Sequence, residues 1–278
     1  MAIQILVPLH TYPDGDSAGL VRHAGAVGKH LKGDIHGLVL VADFPKLASP
    51  LGNLLLDVPA LVADTRNRCV ARGKALHEAL KSEAAAAGVS FRAGEVDCDP
   101  ARFCDVVAEA ARYHDLTLAG LQGDDPILRA SAESAIFDSG RPVLLVPENA
   151  APASFSHVLI AWDGSSVAAR AVADARDFLH RATAVTIATV VDEKHLPKEA
   201  PGKSLAAYLT AHGIKAGIQE LRSEGRPIAE VLQEAARRLE AGLIVMGGFG
   251  HSRMRDFVLG GATRGILGNL RVPTLVSH

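Results

Sequence analysis

The sequence predicts an α/β protein made of two tandem units, each a doubly wound, mostly parallel sheet of Rossmann-like type, and three observations predict it. Short apolar stretches of strand length alternate with longer stretches of helical periodicity, the signature of βαβ units. The strand stretches are apolar throughout rather than at every second position, as expected of a sheet covered on both faces. The chain also resembles itself. Leu116-Thr-Leu-Ala-Gly120-Leu-Gln-Gly123 and Leu243-Ile-Val-Met-Gly247-Gly-Phe-Gly250 match at an offset of 127, and Pro142 matches Pro273 at 131 in Arg141-Pro-Val-Leu-Leu-Val-Pro147 and Val272-Pro-Thr-Leu-Val-Ser277. The opening strands, Ile5-Leu-Val-Pro-Leu-His10 and Val158-Leu-Ile-Ala-Trp-Asp163, match at 153. Repeats of this kind decide the architecture before any single motif is read.

Taken in order, the first copy opens on the strand ending at His10 and carries 26 more residues ahead of its glycines than the second. That surplus falls in the Pro/Gly/Asn-bearing loop from Phe44 to Leu56 and in a long helix from Asp57 to Ala87 that Gly88 closes. The strand Val143–Val146 ends the copy, and Glu148–Ser156 is the boundary, giving units 1–148 and 156–278. The second copy reads as strand 157–162, helix 165–180, strand 184–191, helix 203–212, strand 214–220, helix 227–241, strand 243–246, helix 262–270 and strand 273–276.

Composition excludes several classes. With 278 residues, 48% hydrophobic, 22% charged and a mean hydropathy of +0.17, the chain can bury a large core and is far from the regime of disorder. No apolar run reaches the roughly 18 residues of a membrane span, and MAIQILVPLH lacks the basic start and cleavage site of a signal peptide, so a soluble cytoplasmic protein with no membrane partner is expected. Three cysteines, Cys69, Cys98 and Cys104, have neither disulfide nor metal-knuckle spacing, and neither Cys98 nor Cys104 has a local cationic setting that would mark a reactive thiolate. The net charge of −2 offers no footprint for nucleic acid. It is unevenly divided: residues 1–150 hold 14 basic against 19 acidic side chains and residues 151–278 hold 15 against 12, so an anion favours the second half.

In an open parallel sheet ligands bind beyond the carboxyl ends of the strands, where strand order reverses. There the strand 243–246 runs into Gly247-Gly-Phe-Gly250, nine residues follow, and Gly260-Gly-Ala-Thr263 opens a helix. Glycines let backbone N–H groups approach an anion, and the helix start adds free N–H groups and its positive dipole end. The pattern is a phosphate cradle without the lysine of a P-loop.

The segment Gly247-x-x-Gly250-x9-Gly260, with Asp163 closing the first strand and Val190-Val-Asp192 closing the second, resembles the universal stress protein family. The resemblance covers nearly the whole chain as two copies and is closer in the second. It implies an adenine nucleotide alpha hydrolase-like fold and an adenine nucleotide as ligand, ATP foremost, with Mg²⁺ reachable through Asp163. It also implies nucleotide contacts from Asp163, Val190, Gly247, Gly250 and Gly260, with Met246 as a neighbouring wall. Where the family places Ser or Thr after the last glycine, this chain has Gly261; backbone N–H groups and Thr263 remain to meet phosphate. The resemblance further implies that the copies pack through their last strands, Val143–Val146 and Thr274–Val276, as single-copy relatives pair in homodimers, and two chains could pair again.

In the first copy His10 stands in place of Asp163, and Asp124-Asp-Pro-Ile-Leu-Arg-Ala-Ser-Ala-Glu133 replaces the nine-residue loop, bringing acid where phosphate would sit. That copy reads as a degenerate structural partner. Several residues keep two readings. His10 is a ligand or a hydrogen-bonded loop residue; His251, Arg253 and Arg255 touch a polyphosphate or are only solvated. Asp163 is a nucleotide contact, an N-cap, or both; Trp162 is wall, core or an adenine stacker. No nucleophile stands with a base, no acids are closely paired and no metal triad is evident, so a nucleotide-binding stress or signalling protein leads over a slow nucleotide hydrolase or nucleotidyl-transferring enzyme, and over a ligand-free assembly module.

Overall fold

The computed structural model describes residues 2–13, 18–44, 57–123, 125–192, 201–248 and 261–278. In the first half these form β1 (Gln4–His10), α1 (Ala18–Leu31), β2 (Asp34–Ala42), α2 (Val58–Ala87), β3 (Phe91–Cys98), α3 (Phe103–Ala111), β4 (Leu116–Leu121), α4 (Pro126–Asp138) and β5 (Val143–Pro147). The second half forms β6 (His157–Ala161), α5 (Ser166–Asp174), α6 (Arg176–Arg181), β7 (Ala184–Val190), α7 (Pro201–Ala211), β8 (Gly217–Leu221), α8 (Ile228–Arg238), β9 (Leu243–Gly247), α9 (Gly261–Gly268) and β10 (Thr274–Ser277).

Local chemistry accounts for the clearest boundaries. Asp57 accepts a hydrogen bond from the Ala60 N–H and Pro59 suits the first turn of α2. At the other end Gly88 adopts φ +70°, the left-handed conformation a glycine reaches without penalty, and its N–H closes on Ala84 and Ala85. The single helix expected over 165–180 is instead two, α5 and α6, parted at Ala175 (φ −82°, ψ 3°). The axis still continues, because Ala175 N–H donates to Ala171 and Leu179 N–H to Ala175.

All ten strands share one sheet in the order β3-β2-β1-β4-β5-β10-β9-β6-β7-β8. Every neighbouring pair is parallel except β5 and β10. The doubly wound class expected from the sequence is the class observed. The repeat is written into the registers: Ile5 pairs with Leu116 and Val158 with Leu243, the same match under offsets of 153 and 127. Likewise Thr117 pairs with Val143 and Ile244 with Thr274, under 127 and 131.

The two halves meet where β5 runs antiparallel to β10. Val143 lies opposite Val276, Leu144 opposite Leu275 and Leu145 opposite Thr274. Under the 131-residue offset Leu144 faces its own counterpart, the arrangement of an approximate twofold through that pair. The core is continuous across the junction: Val143, Leu144, Leu145, Val146, Leu275 and Val276 are all fully buried. Two flat edges that would otherwise template aggregation thereby cover one another.

Candidate functional site

Strand order reverses between β1 and β4 in the first half and between β6 and β9 in the second, so each half has one crevice at its strand ends. In the second half Ile160 is level with Val245 and Ala161 with Ala188. By the two-residue alternation of strands, Ala161, Ala188, Val190 and Met246 therefore share one face, and Gly247 turns to the other. Val190 and Met246 are buried there, 8% and 4% exposed.

Asp163 lies just past β6, exposed, with Oδ1 accepting the Ser165 N–H at 2.9 Å. Gly164 between them takes φ +78°. The N-cap of α5 is Ser165, whose Oγ accepts the Ala168 N–H at 3.2 Å, so the N-cap reading of Asp163 is corrected: its carboxylate braces the turn before the helix. Trp162 is half-buried against the core, its N–H donating to Ala188. Gly247 is needed for a reason the sequence reading did not supply. A Cβ there would stand 2.6 Å from the Ala168 nitrogen and 2.7 Å from the Val167 carbonyl carbon, so β9 ends against the first turn of α5.

Helix α9 begins at Gly261, and among the described residues no atom lies within 4 Å of where a Cβ would stand. Thr263 is 2% exposed and shares the inner face of α9 with Ile266 and Leu267. Thr263 is thus buried, and the polar groups left at this helix start are backbone N–H groups and the exposed Arg264. Gly250 and Gly260, with His251, Arg253 and Arg255, lie outside the described residues.

One contributor was read only as part of a motif. Asp192, two residues past β7, accepts the Ser223 N–H at 2.8 Å and the Glu224 N–H at 2.9 Å. These two bonds hold its pKa at about 2, so it stays ionised and ties the loop after β8 to the rim of the crevice. Its signal in the sequence was the turn Ser223-Glu-Gly225, where Glu224 and Gly225 both have positive φ.

The equivalent crevice of the first half differs throughout. His10 is the last residue of β1, not a loop residue, and is 6% exposed beside Leu20, Val107, Leu128 and Ser131. Burial lowers its pKa to about 4 against the opposing charge of Asp125, and its Nε2 has no hydrogen-bond partner among the described residues. The Glu148 side chain lies over Gly120, the counterpart of Gly247. Asp125 does more than repel: its Oδ1 accepts the Ile127 and Leu128 N–H groups at 2.8 and 3.1 Å and caps α4 from within. Cys98 and Cys104 end β3 and enter α3, with burial raising both thiol pKa values. No group of three or more metal-ligating side chains occurs among the described residues, and none of their helices is long and apolar enough to cross a membrane.

Residues 154–278 match the sequence model of the universal stress protein family. The second half of the chain is a universal stress protein domain. No curated protein matches by sequence. Among solved structures, a universal stress protein from Archaeoglobus fulgidus DSM 4304 superposes with a TM-score of 0.72 at 19% identity, covering 99% of this chain and 97% of that one. A candidate universal stress protein from Pseudomonas aeruginosa UCBPP-PA14 gives 0.58 at 19%, covering 99% and 93%. The cytoplasmic domain of a prokaryotic cation chloride cotransporter gives 0.51 at 14%, covering 99% and 95%. At these identities the likeness is one of fold, and it extends over both halves of the chain. The first half thus has the universal stress protein fold around a crevice lined by different chemistry.

Proposed function

We propose that the protein is a stress-response or signalling protein of the cytoplasm that binds one adenine nucleotide, ATP foremost, in the second of two units spanning 1–148 and 156–278. The observation carrying this reading is the alignment, at the strand ends of one reversal of strand order, of Asp163, Val190, Met246 and the sterically required Gly247. Val190 and Met246 supply an apolar wall suited to a base, and Asp163 a hydrogen-bond acceptor suited to ribose hydroxyls. Backbone N–H groups at the start of α9, with Gly250 and Gly260, suit phosphates. Family membership of this half supports the same reading. A hard cation such as Mg²⁺ fits an oxygen donor, and Asp163 is the carboxylate positioned to share one with bound phosphates; the cation would neutralise phosphate charge there. Isothermal titration with ATP should give about one site per chain, lost on Gly250→Asp or Gly260→Asp. Two sites, or loss on replacing Gly123 in the first half, would refute the assignment.

A further inference from the structure

The turn that opens the glycine segment is held by the end of its own half, which is in turn braced by the other half of the molecule. The Gly248 N–H donates to Ser277 O at 2.8 Å, and the Gly248 carbonyl accepts from His278 Nδ1 at 3.0 Å. The His278 ring meets Phe137 of α4 edge-on, with centroids 5.2 Å apart at 79°. A Cβ on Gly248 would lie 3.4 Å from Ile136 Cγ2, also of α4, and 3.0 Å from Val276 Cγ1. Gly248, within the glycine segment, is therefore wedged between β10 and a helix of the first half.

The contact is one-sided. Under the 131-residue offset the counterpart of His278 is Pro147 and that of Phe137 is Gly268, so no ring pair stands at the mirror position, although His30 stacks on Phe178 elsewhere between the halves. At that mirror position the neighbour is instead Arg129, whose Nη2 lies 3.6 Å from a Cβ built on Gly268. A symmetric junction needs no such difference merely to join two halves of one sheet. The asymmetry places this brace against the half whose crevice fits a nucleotide.

We propose that α4 of the first half is a positioning element for the nucleotide site of the second: Phe137, acting through His278, fixes the Gly247–Gly248 turn and so sets nucleotide affinity. This rests on the nucleotide reading above. Neither residue needs to touch the ligand. A hydrogen bond and an aromatic contact that hold a loop in its binding geometry lower the ordering cost of binding, so their loss weakens affinity without removing the site.

The test uses the full chain with Phe137→Ala, Phe137→Leu, His278→Ala and His278→Asn, and with Tyr113→Ala on the exposed surface of the first half as control. Two quantities are read: ATP affinity by titration, and amide exchange of the segment 243–248 without nucleotide. His278→Ala and the Phe137 variants should weaken ATP binding about tenfold and speed exchange of the Gly248 amide by a similar factor, because about one hydrogen bond's worth of order is lost. His278→Asn, whose amide can replace Nδ1–H, should recover most of both, and Tyr113→Ala should change neither. If Phe137→Ala fails to fold, Phe137→Leu carries the test, since it keeps bulk and removes only the ring. Should the unaltered protein bind no ATP, the nucleotide reading falls, and the brace is judged on exchange alone. Unchanged Gly248 exchange in the alanine variants would overturn the brace, as would faster exchange with unchanged ATP affinity.

Discussion

The two crevices of this chain stand at equivalent places in one sheet, and they differ in who fills them. In the second half the strand ends present Asp163 in an exposed turn and Gly247 pressed against α5, and no described atom crowds the helix start at Gly261. In the first half a buried neutral His10 takes the aspartate's place, the Glu148 side chain covers Gly120, and Asp125 satisfies the first turn of α4. A helix N-terminus carries unsatisfied N–H groups that must find a partner. The first copy satisfies two of them with its own carboxylate, and on the proposed reading the second leaves them to a nucleotide. Closing one crevice thus requires no change of fold, only side chains that take the positions a ligand would.

The sharpest way to break this comparison is to add one methyl group at each equivalent glycine. At Gly247 the added carbon meets backbone atoms of Val167 and Ala168, and α5 itself must shift. At Gly120 it meets the end of the Glu148 side chain, which can swing away. Gly247→Ala should cost roughly 1–3 kcal/mol or more and abolish ATP binding, with Asp163 displaced along with α5. Gly120→Ala should cost less and leave ATP affinity as it was. Urea unfolding and ATP titration of both variants check this, and loss of binding in Gly120→Ala would remove the distinction.

Acid should separate the halves next. Among the described residues the histidines with lowered pKa are His10, His23, His30, His36 and His114, all in the first half. Burial is the largest cause in each, and His36, at about 4, also feels Arg92, His114 and His77. His114 Nδ1–H donates to Ala110 O at 2.8 Å, and its Nε2 lies 2.9 Å from His36 Nδ1. Arg92 Nη2 lies 3.0 Å from His36 Nδ1 and 3.4 Å from His114 Nε2, so a further proton on either ring would be set against the guanidinium. Because these groups are neutral when folded and titrate near 6.5 when unfolded, stability is highest above pH 6.5 and falls with pH below it, for His10 and His36 down to about 4. For His10 alone the loss is roughly 2 kcal/mol by pH 5. Amide exchange at pH 7 and pH 5 should show the first half opening more than the second, and His10→Gln should flatten the dependence; equal loss in both halves would count against it.

What could be read from the sequence was what depends on near neighbours. The 57–87 helix was legible because Asp57 and Gly88 are local signals, and the repeat offsets reappear as strand registers because the two copies pair their strands alike. Gly247 is legible as a constrained position where an anion could approach, and the structure adds a second constraint that the sequence does not show, the first turn of α5. Asp163 was placed correctly at a strand end, but the cap belongs to Ser165, two residues on, since both types suit that position. Glu148 over Gly120 and His278 on Gly248 lie 28 and 30 residues from their partners, and the Phe137 ring lies farther still. Contacts at that range leave no spacing to read.

The smallest expected effect tests whether one carboxylate is enough to close the first crevice. Asp125 accepts two N–H groups at the start of α4, so Asp125→Ala should cost about 1 kcal/mol, the usual value of an N-cap. Asp125→Ser keeps an acceptor but removes the charge, and should lose only the dipole contribution, about 0.3–1 kcal/mol at most. Neither change should create a second nucleotide site. Glu148 still lies over Gly120, and the Glu148 N–H donating to Leu121 O at 3.1 Å keeps that residue at the strand end. An anion entering beside it would meet like charge in a poorly solvated crevice. ATP titration of Asp125→Ser should therefore still give one site per chain. A second site would mean that Asp125 alone kept the first half empty, and that the two crevices differ by a single side chain rather than by a rebuilt lining.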